Sequence, residues 1–164
     1  NLDIDKILTS SAGAKFVQGA PAEADLATFL AKYYIIDIRG AADFAANHIQ
    51  GAKNVPFANI LAEGAAAGSK PVLVVCYTGQ TACYATALMR MYGFSETQAL
   101  KWGMSGWSDQ TDSWSGNIGD IAKDHTNWSY DAAPALEAFA SPLVVTGQEG
   151  GADILQARIE FWLS

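Results

Sequence analysis

The feature that most constrains the fold is a repeated order of strand-like and helix-like segments. Residues 33–38 and 71–76 are short apolar runs of strand length, and the second, Pro-Val-Leu-Val-Val-Cys, is the most apolar stretch of the chain. Continuous apolar runs are typical of strands covered on both faces. Amphipathic patterns predict helices over residues 21–32, 41–47 and 81–91. This alternation predicts an α/β fold with a parallel sheet.

Weaker patterns complete the predicted order. Residues 53–55 predict a short strand that stops at Pro56, followed by a helical turn from Phe57 and a small-residue linker over 63–69. Two C-terminal helices are predicted, one over 133–140 capped by Asp131 and one over 152–163. The apolar face of the last helix would consist of Ile154, Leu155, Ile159 and Trp162.

Three tryptophans, Trp114, Trp128 and Trp162, lie in the polar C-terminal tail. We expect this tail to pack back on the domain, because large aromatic surfaces are costly to leave in water. A tail that binds a partner is the alternative.

Composition limits the classes of function. The 164 residues include 17 acidic and 10 basic side chains, for a net charge of −7, so no basic surface is available to neutralise nucleic-acid phosphates or an anionic membrane. No stretch approaches the roughly 20 apolar residues of a membrane span. The two cysteines and two histidines have no metal-ligand spacing. We therefore predict a globular domain without a metal or other cofactor.

The chain begins at Asn1 with neither a methionine nor a basic and apolar leader. Together with the unusual tail, this favours a bacterial protein that is periplasmic or exported and whose signal peptide has been removed. A cytoplasmic protein is the alternative expectation.

The richest chemical feature is the segment Cys-Tyr-Thr-Gly-Gln-Thr-Ala-Cys at residues 76–83. Cys76 ends the most apolar strand, and a glycine-containing turn leads from it into a helix that begins near Thr81. Ligands of parallel α/β sheets bind at the carboxyl ends of the strands, so Cys76 would lie in the crevice. Inward amides of the turn and the positive end of the helix would stabilise a thiolate there.

Structural interpretations of the two cysteines stay open. A cysteine beside a Val-Leu-Val-Val run is often a small buried hydrophobe. Cys83 falls inside the predicted helix and is expected to pack in the core. A disulfide between Cys76 and Cys83 requires Cα atoms within about 7 Å, which a loop followed by a helical turn need not provide.

Several short motifs occur in an order that resembles the rhodanese (sulfurtransferase) domain. They are Asp37-Ile38-Arg39, Asp43-Phe44, the stretch from His48 to Pro56, the cysteine loop, Tyr92-Gly93-Phe94 and the stretch from Leu100 to Trp107. The cysteine loop most resembles that of the thiosulfate and mercaptopyruvate sulfurtransferases. The resemblance implies a rhodanese-like parallel sheet of about five strands with helices on both faces over residues 20–110. Residues 1–19 would form an N-terminal extension and residues 111–164 a Trp-containing, helical C-terminal extension packed on the domain.

The resemblance also implies a reaction. Cys76 would take a sulfane sulfur from a donor, hold it as a persulfide, and pass it to a nucleophilic acceptor. The cradle for the persulfide would be supplied by the active-site loop residues Tyr77, Thr78, Gly79, Gln80, Thr81 and Ala82. The partners would be a small sulfur-containing donor and acceptor, with a protein acceptor as an alternative.

Residues outside the loop would support it. Asp37 and Arg39 would lie near the loop at the tip of a neighbouring strand, although Arg39 is equally well explained as an ion-pair partner of Asp43. Trp102 and Trp107 would wall the crevice, with ordinary core packing as the alternative for each. His48 belongs to a turn that positions a strand in the family pattern.

The loop departs from the family in carrying no cation, whereas many active members hold anionic thiosulfate with Arg or Lys there. We therefore expect neutral or protein-borne donors such as persulfides or polysulfide to be favoured, unless Lys101 or Arg39 compensates. A phosphatase or arsenate reductase would need Cys-x5-Arg to clamp its oxyanion, and that position is Ala82. The alternative function is a rhodanese-fold binding module with weak or no catalysis that recognises a partner protein or a small sulfur species.

Overall fold

The two apolar runs form neighbouring strands in the middle of one sheet. The computed structural model describes residues 13–120, 123–126, 129–141 and 143–164. Among these residues the strands are β1 Val17–Gln18, β2 Tyr34–Asp37, β3 Lys53–Asn54, β4 Val72–Val75 and β5 Gln98–Leu100. The α-helices are α1 Leu26–Lys32, α2 Ala41–Ala46, α3 Ile60–Ala65, α4 Gln80–Tyr92 and α5 Gly151–Leu163.

The sheet has the order β1-β5-β4-β2-β3, and all of its pairings are parallel. Strand β4 is central, with Val74 opposite Ile36 of β2 on one side and Ala99 of β5 on the other. The predicted parallel α/β sheet of about five strands is confirmed. Its edge strand β1 lies within the predicted N-terminal extension, of which residues 1–12 are outside the described part of the chain.

Alternate side chains of β4 enter two separate cores, as the two-residue period of a strand requires. Val72, Val74 and Cys76 pack in one core with side chains of α4 such as Ala85 and Met89. Leu73 and Val75 pack in the other, which is covered by Phe29 of α1. The β4 residues are at most 3% exposed, which explains why this strand reads as a continuous apolar run.

The last helix forms as predicted, but its buried face differs. Ile159 and Leu163 are buried and Leu155 is half-buried in the α4 core, whereas Trp162 is 61% exposed. Leu155, Ile159 and Leu163 are spaced four residues apart and share one face of the helix, so they face α4 together. Trp162 lies off that face.

Two local predictions are wrong, and a third element begins later than predicted. The helix expected over 133–140 is absent: residues 132–141 have no regular structure and are all exposed. A helix this short needs a neighbour to bury its apolar face, and Leu136 and Phe139 have none, at 100% and 83% exposure. The expected linker at 63–69 begins inside α3, and the helix expected from residue 21 starts as a 3-10 turn at Glu23–Asp25.

The tail tryptophans behave differently from one another. Trp114 lies against Trp102, with ring centroids 5.9 Å apart, while Trp162 faces solvent and Trp128 is outside the described residues. No helix in the described part of the chain is long and apolar enough to span a membrane.

Candidate active site

Three segments meet at one edge of the sheet because β2, β4 and β5 are parallel neighbours that end there. Arg39 follows β2, Cys76 follows β4, and Lys101 and Trp102 follow β5. The predicted placement of the cysteine at the carboxyl end of the central strand is thus what the topology produces. It brings Cys76 beside two segments that are distant in sequence.

The turn after β4 directs backbone amides at the cysteine sulfur. The Sγ atom of Cys76 accepts the N–H of Gly79 at 3.1 Å and the N–H of Ala82 at 3.3 Å. Helix α4 begins at Gln80, so its positive end lies beside the same atom. Cys76 is 3% exposed, which keeps water from these donors. The arrangement can stabilise negative charge on sulfur.

A second turn holds the cysteine loop in this shape. The N–H of Met104 donates to the carbonyl of Cys76 at 2.8 Å, and the N–H and hydroxyl of Ser105 both donate to the carbonyl of Tyr77 at 2.9 Å. These hydrogen bonds fix the carbonyls of Cys76 and Tyr77 against the second turn, while the Gly79 and Ala82 amides point at the sulfur.

The contact between the two turns is close enough to require glycine. Gly103 has φ +56°, and a Cβ there would lie 2.4 Å from the carbonyl oxygen of Cys76 and 2.8 Å from the nitrogen of Gly79. Gly79 has φ +91°, and its own Cβ would meet the nitrogen of Trp102 at 3.1 Å. Trp102 has φ 62° and is the one non-glycine residue with positive φ in the described part of the chain. Such strain is typical of functional turns.

Tyr77 connects the loop to α2. Its hydroxyl donates to Oδ2 of Asp43 at 2.5 Å and accepts the N–H of Gly40 at 3.1 Å. The hydrogen bond to Asp43 raises the pKa of the Tyr77 phenol, because the carboxylate favours the protonated phenol. The side chain is 39% exposed, so it borders solvent while it fixes the loop.

The ion pair of Arg39 is with Asp37, and its proposed pairing with Asp43 is wrong. The guanidinium contacts both carboxylate oxygens of Asp37, with Nη2 to Oδ2 at 2.8 Å, and also donates to the carbonyl of Asn47 at 2.7 Å. Both partners of the pair are buried, and Asp43 is taken by Tyr77. The guanidinium carbon lies 5.9 Å from the Tyr77 ring centroid, so Arg39 of this ion pair packs beside the cysteine loop at Tyr77.

Two pockets open beside the loop, and Thr78 and Trp102 line both. One of about 310 Å³ also contains Ser105, Asp109, Asp112 and Trp114. The other, of about 550 Å³, also contains Gln80, Cys83 and Lys101. The two pockets therefore share the wall formed by Thr78 and Trp102 and differ in their other lining residues.

A family model described as a rhodanese-like domain matches residues 21–110. This chain belongs to the rhodanese-like domain family. Thiosulfate sulfurtransferase GlpE of Pseudomonas fluorescens is 38% identical over 74 residues, which are 44% of this chain and 68% of that relative. The protein of the same name from Pseudomonas putida is 36% identical over 75 residues, covering 44% of this chain and 67% of that relative.

Solved structures similar to this rhodanese-like chain include the rhodanese-like domain of an Anabaena protein, with TM-score 0.47, 17% identity, and coverage of 79% of this chain and 97% of that one. A human single-domain sulfurtransferase has TM-score 0.45 and 21% identity, with coverage of 57% of this chain and 96% of that one.

The remaining predicted residues of this rhodanese-like domain lie at different distances from the loop chemistry. Thr81 is exposed on the first turn of α4. Trp107 packs against Phe29, with ring centroids 6.0 Å apart in the core on the α1 side, whereas Trp102 lines both pockets. His48 stacks on Phe44 and contacts its carbonyl at 2.8 Å, as expected of a turn residue.

Cys83 is a free, half-buried thiol that lies within α4, as predicted, and packs against the core. It also borders the larger pocket. Burial raises the pKa of this thiol, with the nearby Cys76 as a smaller cause, so Cys83 is the less reactive type of thiol.

Sequence reasoning missed the roles of Gly103 and Ser105, which hold the loop carbonyls and backbone in place. Both lie in the stretch from Leu100 to Trp107, which carries part of the family resemblance but assigns neither residue a role. The signal available in that stretch was the Trp-Gly-Met-Ser-Gly turn directly after a strand-length segment.

Proposed function

We propose that this chain, a rhodanese-type sulfurtransferase, carries a sulfane sulfur on Cys76 as a persulfide between a small sulfur donor and a nucleophilic acceptor. The observation that carries the proposal is the pair of backbone amides, from Gly79 and Ala82, that point at Sγ from the start of α4. Such amides stabilise charge on sulfur without reorganising during the reaction.

The first half of the cycle loads the sulfur. The Cys76 thiolate attacks the terminal sulfane sulfur of the donor, a bond forms between Sγ and that sulfur, and the sulfur–sulfur bond of the donor breaks. The leaving group takes the electron pair of the broken bond: it is sulfite from thiosulfate, a thiolate from a persulfide, and a shortened chain from polysulfide. The persulfide then occupies the loop.

The second half returns the cysteine. A nucleophile attacks the outer sulfur of the persulfide, the bond between Sγ and that sulfur breaks, and the electron pair returns to Sγ as a thiolate. An acceptor thiolate leaves as a persulfide. The Gly79 and Ala82 amides contact the sulfur that regains the charge, so they favour this step too.

The uncharged loop favours a neutral or protein-borne persulfide over thiosulfate. Its residues after Cys76 contain no Lys or Arg, and the buried guanidinium of Arg39 is already paired with Asp37. Lys101 borders the larger pocket and is the cation available to a thiosulfate dianion on that side. A low Michaelis constant for thiosulfate in a thiosulfate:cyanide assay would contradict this preference.

Intact-protein mass spectrometry tests the proposal directly. Wild type, Cys76→Ser and the matched control Cys83→Ser are incubated separately with thiosulfate and with polysulfide. We expect a gain of one sulfur atom in wild type and Cys83→Ser that is absent from Cys76→Ser. A sulfur gain that persists in Cys76→Ser, or no gain in wild type with either donor, would refute the proposal.

A binding module is the second candidate function. The observation that favours it is the exposed apolar segment at Leu136, Phe139 and Val145, whose side chains are at least 76% exposed. Such a surface is typical of a protein interaction site. If wild type gains no sulfur, this candidate replaces the sulfurtransferase.

A further inference from the structure

The smaller pocket beside the cysteine loop combines two indole rings with two carboxylates. Trp102 and Trp114 are 54% and 41% exposed, with ring centroids 5.9 Å apart and planes inclined by 45°. Asp109 and Asp112 complete the same pocket, and Thr78, two residues after Cys76, forms the wall on the side of the loop. The pocket therefore borders the cysteine loop at Thr78 and presents aromatic faces beside negative charge.

The negative charge of this pocket is held in place by the fold. Oδ1 of Asp112 accepts the N–H of Trp114 at 2.7 Å and the N–H of Ser115 at 3.1 Å. Hydrogen bonds from the Ser115 side chain, and then from these two amides, lower the pKa of the Asp112 carboxyl, so it stays ionised at neutral pH. The residues that line the pocket include no Lys or Arg to neutralise it.

The two pockets share Trp102 but differ in the charged residues that line them. Trp102 lines both, but Lys101 belongs only to the larger one, and its Nζ lies 5.7 Å from the Trp102 ring centroid. Trp114 and the two aspartates belong only to the smaller one. The larger pocket thus has an ammonium group in its lining, whereas the smaller one has two carboxylates.

We propose that the smaller pocket binds the sulfur acceptor and selects a small thiol that carries a protonated amine. Indole faces and carboxylates are the groups that attract an ammonium ion. The volume of about 310 Å³ suits a small molecule. This inference rests on the proposed function, since it names the acceptor class for the Cys76 persulfide.

The transfer step needs no further reactant. The acceptor thiolate attacks the outer persulfide sulfur, a new sulfur–sulfur bond forms, and the electron pair of the broken bond stays on Sγ. The ammonium group takes no part in bond making; it holds the acceptor beside the loop between Trp114 and the aspartates. An acceptor with a carboxylate in place of the amine is repelled by the same two aspartates.

The test measures the decay of the preloaded persulfide by intact mass with three probe thiols: cysteamine, 2-mercaptoethanol and 3-mercaptopropionate. Each variant is described by the ratio of its rate with cysteamine to its rate with 2-mercaptoethanol, so that differences in intrinsic thiol reactivity cancel between variants. The variants are Asp109→Asn and Trp114→Leu, and the matched control is Glu23→Gln, an exposed carboxylate in the 3-10 turn before α1. Far-ultraviolet circular dichroism confirms that each variant is folded.

We expect the ratio to fall about two- to fivefold in Trp114→Leu, the range typical of an exposed cation–aromatic contact. It should fall by up to about fivefold in Asp109→Asn, where an exposed charge pair is lost, and be unchanged in Glu23→Gln. The rate with 3-mercaptopropionate should rise in Asp109→Asn. A ratio that is the same in wild type and Asp109→Asn, with persulfide still formed, would overturn the acceptor site and leave the sulfurtransferase intact. Failure of wild type to form the persulfide would overturn both.

Discussion

Replacing Gly103 by alanine tests whether the conformation of the cysteine loop is needed for persulfide formation. The substitution changes no residue of the loop, and Gly103 itself supplies no side chain to the chemistry. The added Cβ would lie 2.4 Å from the carbonyl oxygen of Cys76, 2.8 Å from the nitrogen of Gly79 and 2.9 Å from the nitrogen of Thr78. All three atoms are backbone, so no side chain can rotate away. The loop itself must move, and the Gly79 amide leaves its 3.1 Å hydrogen bond to Sγ.

The cost has two parts that a matched control separates. Alanine at φ +56° carries the left-handed penalty of about 1–2 kcal/mol. Forcing the loop apart adds about 1–3 kcal/mol, as overpacking does elsewhere. Gly68 has φ +62° and nothing within 4 Å of an added Cβ, so Gly68→Ala has the first cost alone. The effect of alanine on the unfolded chain is common to both variants and cancels.

Urea unfolding and persulfide formation by intact mass are the assays. We expect the free energy of unfolding of Gly103→Ala to be lower than that of Gly68→Ala by about 1–3 kcal/mol. The persulfide yield of Gly103→Ala should fall about tenfold or more, because each loss of about 1.4 kcal/mol of charge stabilisation at the sulfur lowers it about tenfold. Gly68→Ala should form persulfide like wild type. Equal stability of the two variants together with full persulfide formation by Gly103→Ala would refute the reasoning.

Three further predictions concern two polar contacts beside the site and one core residue away from it. Arg39→Met should lower the free energy of unfolding by about 3–5 kcal/mol in urea, because it leaves the Asp37 carboxylate buried without its partner, and a double variant with Asp37→Leu should lose less. The Tyr77–Asp43 hydrogen bond raises the pKa of the Tyr77 phenol in the folded state. The stabilisation from this bond is therefore complete below the ordinary tyrosine pKa of about 10 and is lost as the pH rises through the raised pKa. In Asp43→Ala the phenolate absorbance should titrate at lower pH. Ile159→Ala should cost about 2–4 kcal/mol in thermal or urea unfolding and leave the persulfide yield unchanged, since α5 lines neither pocket beside the loop. An unchanged stability of Arg39→Met, an unshifted phenolate titration, or a loss of persulfide in Ile159→Ala would contradict the respective argument.

The sequence alone determined the sheet and the place of the cysteine. Strand β4 is apolar on both faces because both faces are covered by core side chains. The resulting continuous apolar run is a local feature, so it can be detected from the sequence. The helix α4 was predicted for the same reason. Cys76 follows β4 directly, and all strands of a parallel sheet have their carboxyl ends at the same edge. Cys76 must therefore lie at that edge.

The C-terminal helices show the limit of local pattern. Residues 133–140 and 152–163 read alike as amphipathic helices, but only the second has a partner, α4, against which Ile159 and Leu163 are buried. A short helix is marginal in water, so its formation depends on that partner. The partner is distant in sequence and invisible to periodicity.

The partners of individual polar groups were decided by tertiary structure. Asp37 and Asp43 were both within reach of Arg39 along the chain, and only the arrangement of β2, the loop and α2 assigns Asp37 to Arg39 and Asp43 to Tyr77. The same holds for Gly103, which lies so close to Cys76, more than 25 residues away, that an added Cβ would be 2.4 Å from the Cys76 carbonyl oxygen. Local composition specifies which segments become strands and helices, because backbone hydrogen bonding and side-chain periodicity act over a few residues. Which strand ends come together depends on the packing of the whole sheet and its two cores. That packing brings Trp102, Trp114 and the two aspartates into one pocket.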